Sequence, residues 1–234
     1  MIAQMTTDVR ALFDEQRRRY DADPNPARRE RLAWLDALGR AIRNHREALY
    51  VALAEDFGKA RDEVELTEIN LTLSELKYAR KNLADWMRPE AVKTPLKLLG
   101  ARSRIVREPK GVVLILSPWN YPIYLTLSPL IAALAAGNRA IVRVSEKVPH
   151  SRAVLASIAA EAFAPGDVAF VGGEIDVAEA LLELPFDHIF FTGSTRVGKR
   201  VMRAAAEHLA SVTLELGGKS PAIVTRDADV KSAA

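Results

Sequence analysis

The stretch GVVLILSPWN, residues 111–120, decides the fold of this chain. Its apolar run, residues 112–116, follows a glycine and ends at a Ser-Pro pair. A short run of this kind, bounded by turn residues, is typical of a strand that is buried on both faces of a parallel sheet. In such sheets, ligands bind beyond the carboxyl ends of the strands. The polar residue Asn120 stands at that end.

Short apolar runs and helical stretches alternate from Gly111 onward, which is the pattern of a parallel sheet covered by helices on both faces. The predicted strands span residues 112–116, 140–144, 168–171, 189–191, 212–216 and 222–224. The predicted helices span residues 128–136, 151–163, 176–184 and 194–209, with Ser128 and Ser194 as N-caps and Pro129 in a first turn. Right-handed crossovers then give a doubly wound, mostly parallel, Rossmann-like α/β domain over residues 111–214.

Residues 1–88 have a helical pattern and are expected to form an N-terminal helical region that packs on this domain. Apolar residues recur near the helical period from Arg28 to Phe57, and Gly58 is a suitable C-terminal stop. A second helix is predicted from Asp62, acting as its N-cap, to Trp86.

Composition and charge exclude several classes of function. The net charge is only +3, with acids and bases interspersed, which argues against a nucleic-acid partner. The chain has no cysteine, and its 4 histidines lack metal-ligand spacing, so neither a disulfide framework nor a metal site is predicted. The longest apolar stretch, residues 123–136, is too short to span a bilayer, and the charged start lacks a secretory signal. These features predict a cytoplasmic protein without membrane segments.

Asn120 and Glu215 close two of the apolar runs and are the candidate catalytic residues. An amide N–H at a strand end can donate to an oxyanion, and losing one such donor typically costs about 3 kcal/mol of barrier. The alternative is a turn asparagine between two prolines, and the neighbouring Trp119 is equally consistent with packing. A carboxylate followed by two glycines can act as a general base. The alternative for Glu215 is a buried, ion-paired glutamate.

Further residues are candidates for binding a dinucleotide. Glu146 ends the second predicted strand, where a carboxylate commonly accepts hydrogen bonds from a ribose, and Arg143 can reach the same ribose or a nearby phosphate. The alternative for both is a solvated charge in a loop. Ser194, after Gly193, opens a predicted helix whose free N–H groups and dipole form an anion site.

The string FTGSTRVGK, residues 191–199, nearly matches the P-loop pattern. Gly193, Gly198 and Lys199 fit, but Arg200 stands where a Ser or Thr would hold magnesium. A P-loop-like nucleotide binder is therefore a minor alternative.

Four motifs in order carry a resemblance to a known family. They are PWNYP at residues 118–122, AAGN at 135–138, FTGST at 191–195 and LELGGKSP at 214–221. Together they resemble the cofactor-binding half of the aldehyde dehydrogenase superfamily, from about Asp8 to the end of the chain. The short N-terminal region is most similar to the class 3 branch, which includes fatty aldehyde and coniferyl aldehyde dehydrogenases.

The resemblance implies NAD(P)-dependent oxidation of an aldehyde to a carboxylic acid. In that reaction a cysteine thiolate attacks the aldehyde, hydride leaves to the cofactor, and water cleaves the thioester. Asn120 is then the oxyanion donor and Glu215 the base that activates water. The implied cofactor contacts are Leu116 and Trp119 on the nicotinamide side, Leu216 and Gly217 near its ring, Glu146 and Arg143 at the adenosine ribose, and Gly193 and Ser194 at the pyrophosphate.

Two departures from the family pattern bear on these expectations. Arg143 and Val144 replace the usual Lys-Pro; a carboxylate at Glu146 favours NAD, while Arg143 leaves NADP open. The missing cysteine lies, in the family, beyond residue 234, so we expect the chain to be inactive alone. The alternative is a non-catalytic dinucleotide-binding or interaction module, a truncated remnant of such an enzyme.

The remaining segments complete the expected domain organisation. Residues 89–110 contain X-Pro breaks and are predicted to be a linker with a short strand at residues 104–107. By resemblance, residues 215–234 begin a catalytic domain, and full-length members form homodimers through a segment that this chain lacks.

Overall fold

The structure is a computed structural model that describes residues 8–233. Its N-terminal helices are α1 (Val9–Ala22), α2 (Arg28–Asn44), α3 (Arg46–Phe57), α4 (Arg61–Val64) and α5 (Asn70–Trp86). A π-helical turn, Glu65–Ile69, joins the last two. A hairpin follows, formed by β1 (Glu90–Val92) and β2 (Ser103–Ile105) with a 3₁₀ turn at Leu96–Leu98 between them.

The remaining elements alternate as predicted. The strands are β3 (Val112–Leu116), β4 (Arg139–Arg143), β5 (Val168–Val171), β6 (His188–Gly193) and β7 (Ser211–Leu216). The helices are α6 (Tyr124–Ala136), α7 (Pro149–Ala162), α8 (Ile175–Leu182), α9 (Thr195–Glu207) and the short α10 (Val230–Ala233). Strand β7 crosses the expected domain boundary at residue 214, so Glu215 belongs to the same sheet.

All five strands of the large sheet are parallel, in the order β5-β4-β3-β6-β7. The chain moves outward from β3 to β5, then returns to the other side of β3 for β6 and β7. This reversal confirms the doubly wound fold and puts the topological switch point between β3 and β6. Ligands of such sheets bind in the crevice at that point, beyond the carboxyl ends of the strands.

Two hydrophobic cores cover the two faces of the sheet. On one face, α6 and α7 are backed by α2, α3 and α5. On the other, α1 packs with α8 and α9, where Phe13 meets Phe186 edge to face with ring centroids 5.0 Å apart. The N-terminal helices therefore lie on both sides of the sheet, and α1 packs directly on β3 and β4.

The helical region differs from its sequence pattern in three places. The predicted helix at residues 28–57 is broken at His45, which separates α2 from α3, although it ends as predicted at Gly58 with φ 72°. The next helix begins at Arg61, one residue before Asp62, with Ala60 at the N-cap position. The segment predicted as one helix to Trp86 is divided by the π-helical turn Glu65–Ile69. Helix α1 had no specific prediction.

Two predictions in the α/β region are wrong. Helix α6 begins at Tyr124, so Ser128 is not its N-cap and Pro129 lies inside it. The reason is distant in sequence: the carboxylate of Glu68 accepts the N–H groups of Ile123 and Tyr124, which replaces a local cap. Residues 222–224 form no strand; they are exposed and no neighbouring strand within residues 8–233 pairs with them.

Other local predictions are confirmed. Ser194 caps α9 by accepting the N–H of Val197 at 3.4 Å. The short strand predicted at residues 104–107 overlaps β2, which ends at Ile105, and its partner β1 was not predicted. Across the described residues, no helix has the length and apolar character needed to cross a membrane.

The AAGN motif at residues 135–138 ends α6 and leads into β4. Gly137 has φ 88°, and a Cβ there would come within 2.6 Å of the Arg31 guanidinium, which itself donates to the carbonyl of Ala135. The Oδ1 atom of Asn138 accepts the N–H groups of Lys110 and Gly111 at 2.7 and 3.0 Å. These contacts show that the motif positions β3.

Candidate functional site

A cleft of about 820 Å³ opens beside α6 at the carboxyl ends of β3, β6 and β7. Its volume is in the range of small-molecule and cofactor sites. Seven of the residues singled out from the sequence line it, namely Trp119, Asn120, Gly193, Ser194, Glu215, Leu216 and Gly217. Asn120 and Glu215, the two predicted catalytic residues, therefore line one cavity, beyond the end of β3 and at the end of β7. Helix α6 supplies the remaining wall with Tyr124, Leu125, Ser128, Pro129 and Ala132.

Asn120 lies in the turn between β3 and α6, with its side chain exposed to the cleft. Its backbone carbonyl accepts a hydrogen bond of 3.1 Å from the ammonium of Lys59. The same ammonium lies 4.1 Å from the ring centroid of Tyr121, within cation–π range. The turn is thus held through its backbone, and no side-chain hydrogen bond of Asn120 to the described residues accompanies this contact.

Trp119 is not a simple packing residue. Its ring stacks on Phe57, with centroids 6.3 Å apart and planes 22° from parallel, and the ammonium of Lys147 lies 5.6 Å from its centroid. The residue nevertheless remains 48% exposed. It therefore offers the cleft an aromatic surface held on one face.

Glu215 occupies the end of β7 opposite Thr192 of β6. Its side chain is exposed, and no ion pair reaches it from the rest of the described chain. The alternative of a buried, ion-paired glutamate is therefore wrong. Beyond it, the N–H of Gly217 donates to the carbonyl of Gly193 at 3.2 Å, and a Cβ added at Gly217 or Gly218 would meet no atom within 4 Å.

The step from β6 to α9 is a direct turn from strand to helix rather than a P-loop. Gly193 ends the strand, Ser194 caps the helix, and α9 begins at Thr195. The N-terminus of α9 follows Ser194, which lines the cleft, and the helix dipole favours negative charge at such an end. A P-loop needs a non-helical cradle before its lysine, but residues 195–199 are already helical. Gly198 instead allows α9 to approach β7, since a Cβ there would come within 2.9 Å of Leu216.

Arg143 and Glu146 lie at the end of β4, outside the lining of the cleft. They form an ion pair of 2.7 Å, and the same Arg143 nitrogen donates to the carbonyls of Gly173 and Glu174 at 3.1 and 3.2 Å. Burial opposes ionisation of Glu146, but its own backbone N–H and the Arg143 guanidinium outweigh burial and lower the pKa of the carboxyl. The carboxylate is 23% exposed and thus stays within reach of a ligand.

Leu116 is placed differently from the expectation. Its side chain is 6% exposed and belongs to the core formed with α1, α8 and α9, so it does not line the cleft. Strand residues alternate between faces, and Ile115 takes the α6 side instead. Leu116 supports the strand end from the opposite face.

Lys59 and Glu68 were missed by the sequence analysis, although a signal existed. The buried stripe of the second long helical segment continues through Val64, Glu68, Thr72 and Leu76. A carboxylate in the middle of an apolar stripe requires a compensating partner. The π-helical turn that carries Glu68 gives no comparable sequence signal.

Comparison with known proteins decides the family. The family model described as "Aldehyde dehydrogenase family" matches residues 3–234 of this chain. The chain belongs to the aldehyde dehydrogenase family. The resemblance carried by the four motifs is thereby confirmed.

Known aldehyde dehydrogenases are similar to this chain in sequence and in structure. A "Probable coniferyl aldehyde dehydrogenase" of Pseudomonas aeruginosa is 45% identical over 99% of this chain and 49% of that protein. The substrate-bound state of Staphylococcus aureus AldH has a TM-score of 0.89 at 40% identity, over 95% of this chain and 49% of that one. A Mycobacterium tuberculosis aldehyde dehydrogenase complexed with NAD⁺ has a TM-score of 0.80 at 29% identity, over 96% and 47%. The chain spans about half the length of these relatives.

Proposed function

We propose that this chain forms the dinucleotide-binding half of an aldehyde dehydrogenase that oxidises an aldehyde to a carboxylic acid. One observation carries the proposal: Asn120 and Glu215 line the same cleft, at the carboxyl ends of β3 and β7. An amide donor and a carboxylate facing one cavity suit a reaction with an oxyanion intermediate and a water-activation step.

The roles of the two catalytic candidates follow from their surroundings. Asn120 donates an N–H to the oxygen of the reacting carbonyl, since its backbone is anchored and the exposed residue lines the cleft. Glu215 accepts a proton from water, since its carboxylate is exposed and no cation neutralises it among the described residues. Both groups are in place without the thiol, which the 234-residue sequence does not contain.

The residues around the cleft fit a dinucleotide, whose nicotinamide would accept the hydride. Ser194 and the first N–H groups of α9 bind the pyrophosphate. Trp119, Leu216 and Gly217 form the nicotinamide side of the cleft, where Gly217 permits close approach of the ring. The similarity to a relative solved with NAD⁺ supports this assignment.

The ion pair at the end of β4 favours NAD over NADP. Glu146 accepts a ribose hydroxyl but repels a 2′-phosphate by like charge. Arg143 is the cation that would receive this phosphate, yet its guanidinium is engaged by Glu146 and by two backbone carbonyls. We therefore propose that NAD binds more tightly than NADP.

A cofactor titration and an aldehyde assay test the proposal together. The purified chain is titrated with NAD and NADP by calorimetry, and NADH formation is then followed by absorbance with an aliphatic and an aromatic aldehyde. We expect binding of NAD, weaker binding of NADP and no turnover. A failure of NAD to bind at millimolar concentration would remove the cofactor role, and turnover would show that the missing thiol is not required.

A pair of serine variants provides the control. Ser194→Ala removes the cap hydroxyl beside the proposed pyrophosphate site, whereas Ser157→Ala removes an exposed hydroxyl on α7 that bonds only to the carbonyl of Ala153. We expect only the first variant to weaken NAD binding.

The non-catalytic module stays a second candidate, because a chain without a thiol can bind a dinucleotide and do no chemistry. Binding without turnover is common to both readings. The coding sequence downstream of residue 234 separates them: a continuing or shifted frame that encodes a cysteine motif indicates a divided enzyme. The expected domain boundaries, homodimer and cytoplasmic location stay predictions.

A further inference from the structure

We infer that Lys59 and Glu68 are positioning residues that fix the direction of the Asn120 amide. The inference rests on the proposed function of Asn120 as an oxyanion donor. Neither residue touches the cleft; both act through the backbone of the turn that carries Asn120.

Glu68 holds the far end of this turn. Its side chain is fully buried, and its Oε2 atom accepts the N–H groups of Ile123 and Tyr124 at 2.9 and 3.0 Å. These groups open α6, where the positive end of the helix dipole favours a carboxylate. A helix cap is normally local in sequence; here it comes from a π-helical turn more than fifty residues earlier.

Lys59 holds the near end. Its ammonium pairs with the Oε1 atom of Glu68 at 2.8 Å and donates to the carbonyl of Asn120 at 3.1 Å. The Lys59 side chain is only 9% exposed, and the ring of Tyr121 covers its ammonium. One ion pair therefore fixes residue 120 at one end of the turn and residues 123–124 at the other.

The arrangement is a costly way to achieve stability alone. A buried ion pair contributes little compared with apolar side chains of similar volume, because both charges are removed from water. It does fix geometry, since each donor and acceptor direction is specified. An oxyanion donor requires such fixation, because a displacement of about 1 Å loses much of its effect.

The test is a spectroscopic signature of Asn120 in the complete 234-residue chain. With ¹⁵N-asparagine labelling, the side-chain amide signals of Asn120 are assigned through Asn120→Asp, which deletes them. Glu68→Gln and Lys59→Met are then compared with Glu65→Gln. Glu65 lies in the same π-helical turn but bonds to Tyr50 and Arg46, away from the cleft.

We expect the Asn120 amide signals to shift and broaden in Glu68→Gln and Lys59→Met, and to stay in place in Glu65→Gln. A merely structural ion pair would change the thermal stability of the chain and leave these signals where they are. The double variant Lys59→Met/Glu68→Gln removes both charges, which protects the test against unfolding caused by one unpaired buried charge. Signals at the wild-type position in the folded double variant would overturn the inference.

This measurement needs no cofactor and is therefore independent of the proposed function. Displaced signals in a chain that does not bind NAD would keep the positioning role and remove the proposed cofactor role of the cleft. Unmoved signals in a chain that does bind NAD would keep the cofactor role and remove the positioning role.

Discussion

The carboxyl ends of β3 and β4, the inner ends, are held differently from those of β6 and β7, the outer ends, and only β3, β6 and β7 end at the cleft. At the inner ends, Ser117 after β3 donates both its N–H and its hydroxyl to the carbonyl of Arg143, at 3.1 and 3.2 Å. Arg143 in turn binds Glu146 and two carbonyls of the next loop. Asn120 is anchored by Lys59.

By contrast, the outer ends, those of β6 and β7, have few hydrogen bonds to hold them. Gly217 makes one backbone hydrogen bond to Gly193, and Glu215, Leu216 and the residues after them are exposed. The amide side of the site is thus preorganised within this chain, whereas the carboxylate side has little support among the described residues. The relatives are about twice as long as this chain.

The largest expected effect is a difference in stability between two glutamate variants, one on each side of the site. Glu68→Ala leaves Lys59 buried without its carboxylate partner and leaves the N–H groups of Ile123 and Tyr124 without an acceptor, so it should cost about 3–5 kcal/mol of unfolding free energy. Glu215→Ala removes an exposed side chain and should change stability by less than about 0.5 kcal/mol. Urea unfolding followed by circular dichroism measures both. Equal losses would show that the outer strand is held as firmly as the inner one.

A smaller effect on stability is expected when a glycine on each side of the site is replaced by alanine. Gly137→Ala forces a residue with a Cβ into φ 88° and against the Arg31 guanidinium, so it should destabilise the chain by about 2 kcal/mol. Gly217→Ala adds its Cβ in open space at an ordinary φ and should be neutral or slightly stabilising. The same unfolding experiment checks the pair, and a loss at Gly217 as large as that at Gly137 would contradict the open outer end.

The sequence predicted the sheet well because its signal is local. A buried parallel strand is a short apolar run, and β3 matches its predicted residues 112–116, as β5 does at 168–171. The cleft followed from topology, since parallel strands bring Asn120 and Glu215 to the same edge. The predicted strand at residues 222–224 had the same local signal without a partner, which shows the limit of that signal.

What the sequence did not reveal depends on contacts between distant residues. The start of α6 was misplaced because its cap, Glu68, lies in another helix. Leu116 was assigned to the cleft by resemblance, yet strand alternation turns it into the opposite core. The hydrogen bonds of Arg143 could not be predicted either, because the carbonyls of Gly173 and Glu174 that accept them lie in a loop distant in sequence.

The smallest expected effect tests whether the end of β4 is held by charge. The pKa of Glu146 is lowered in the folded chain, so its contribution to stability is full above the ordinary value of 4.5 and is lost as pH falls toward the folded value. Glu146→Gln should therefore be less stable than wild type by about 1 kcal/mol at pH 7, and this difference should vanish in acid. In Arg143→Gln, burial of the carboxyl is no longer opposed by the guanidinium, so the acid-dependent loss should be smaller than in wild type. Urea unfolding between pH 7 and pH 3 measures the three slopes, and parallel curves for wild type and Glu146→Gln would show that hydrogen bonding to neutral groups, not ionisation, holds this strand end.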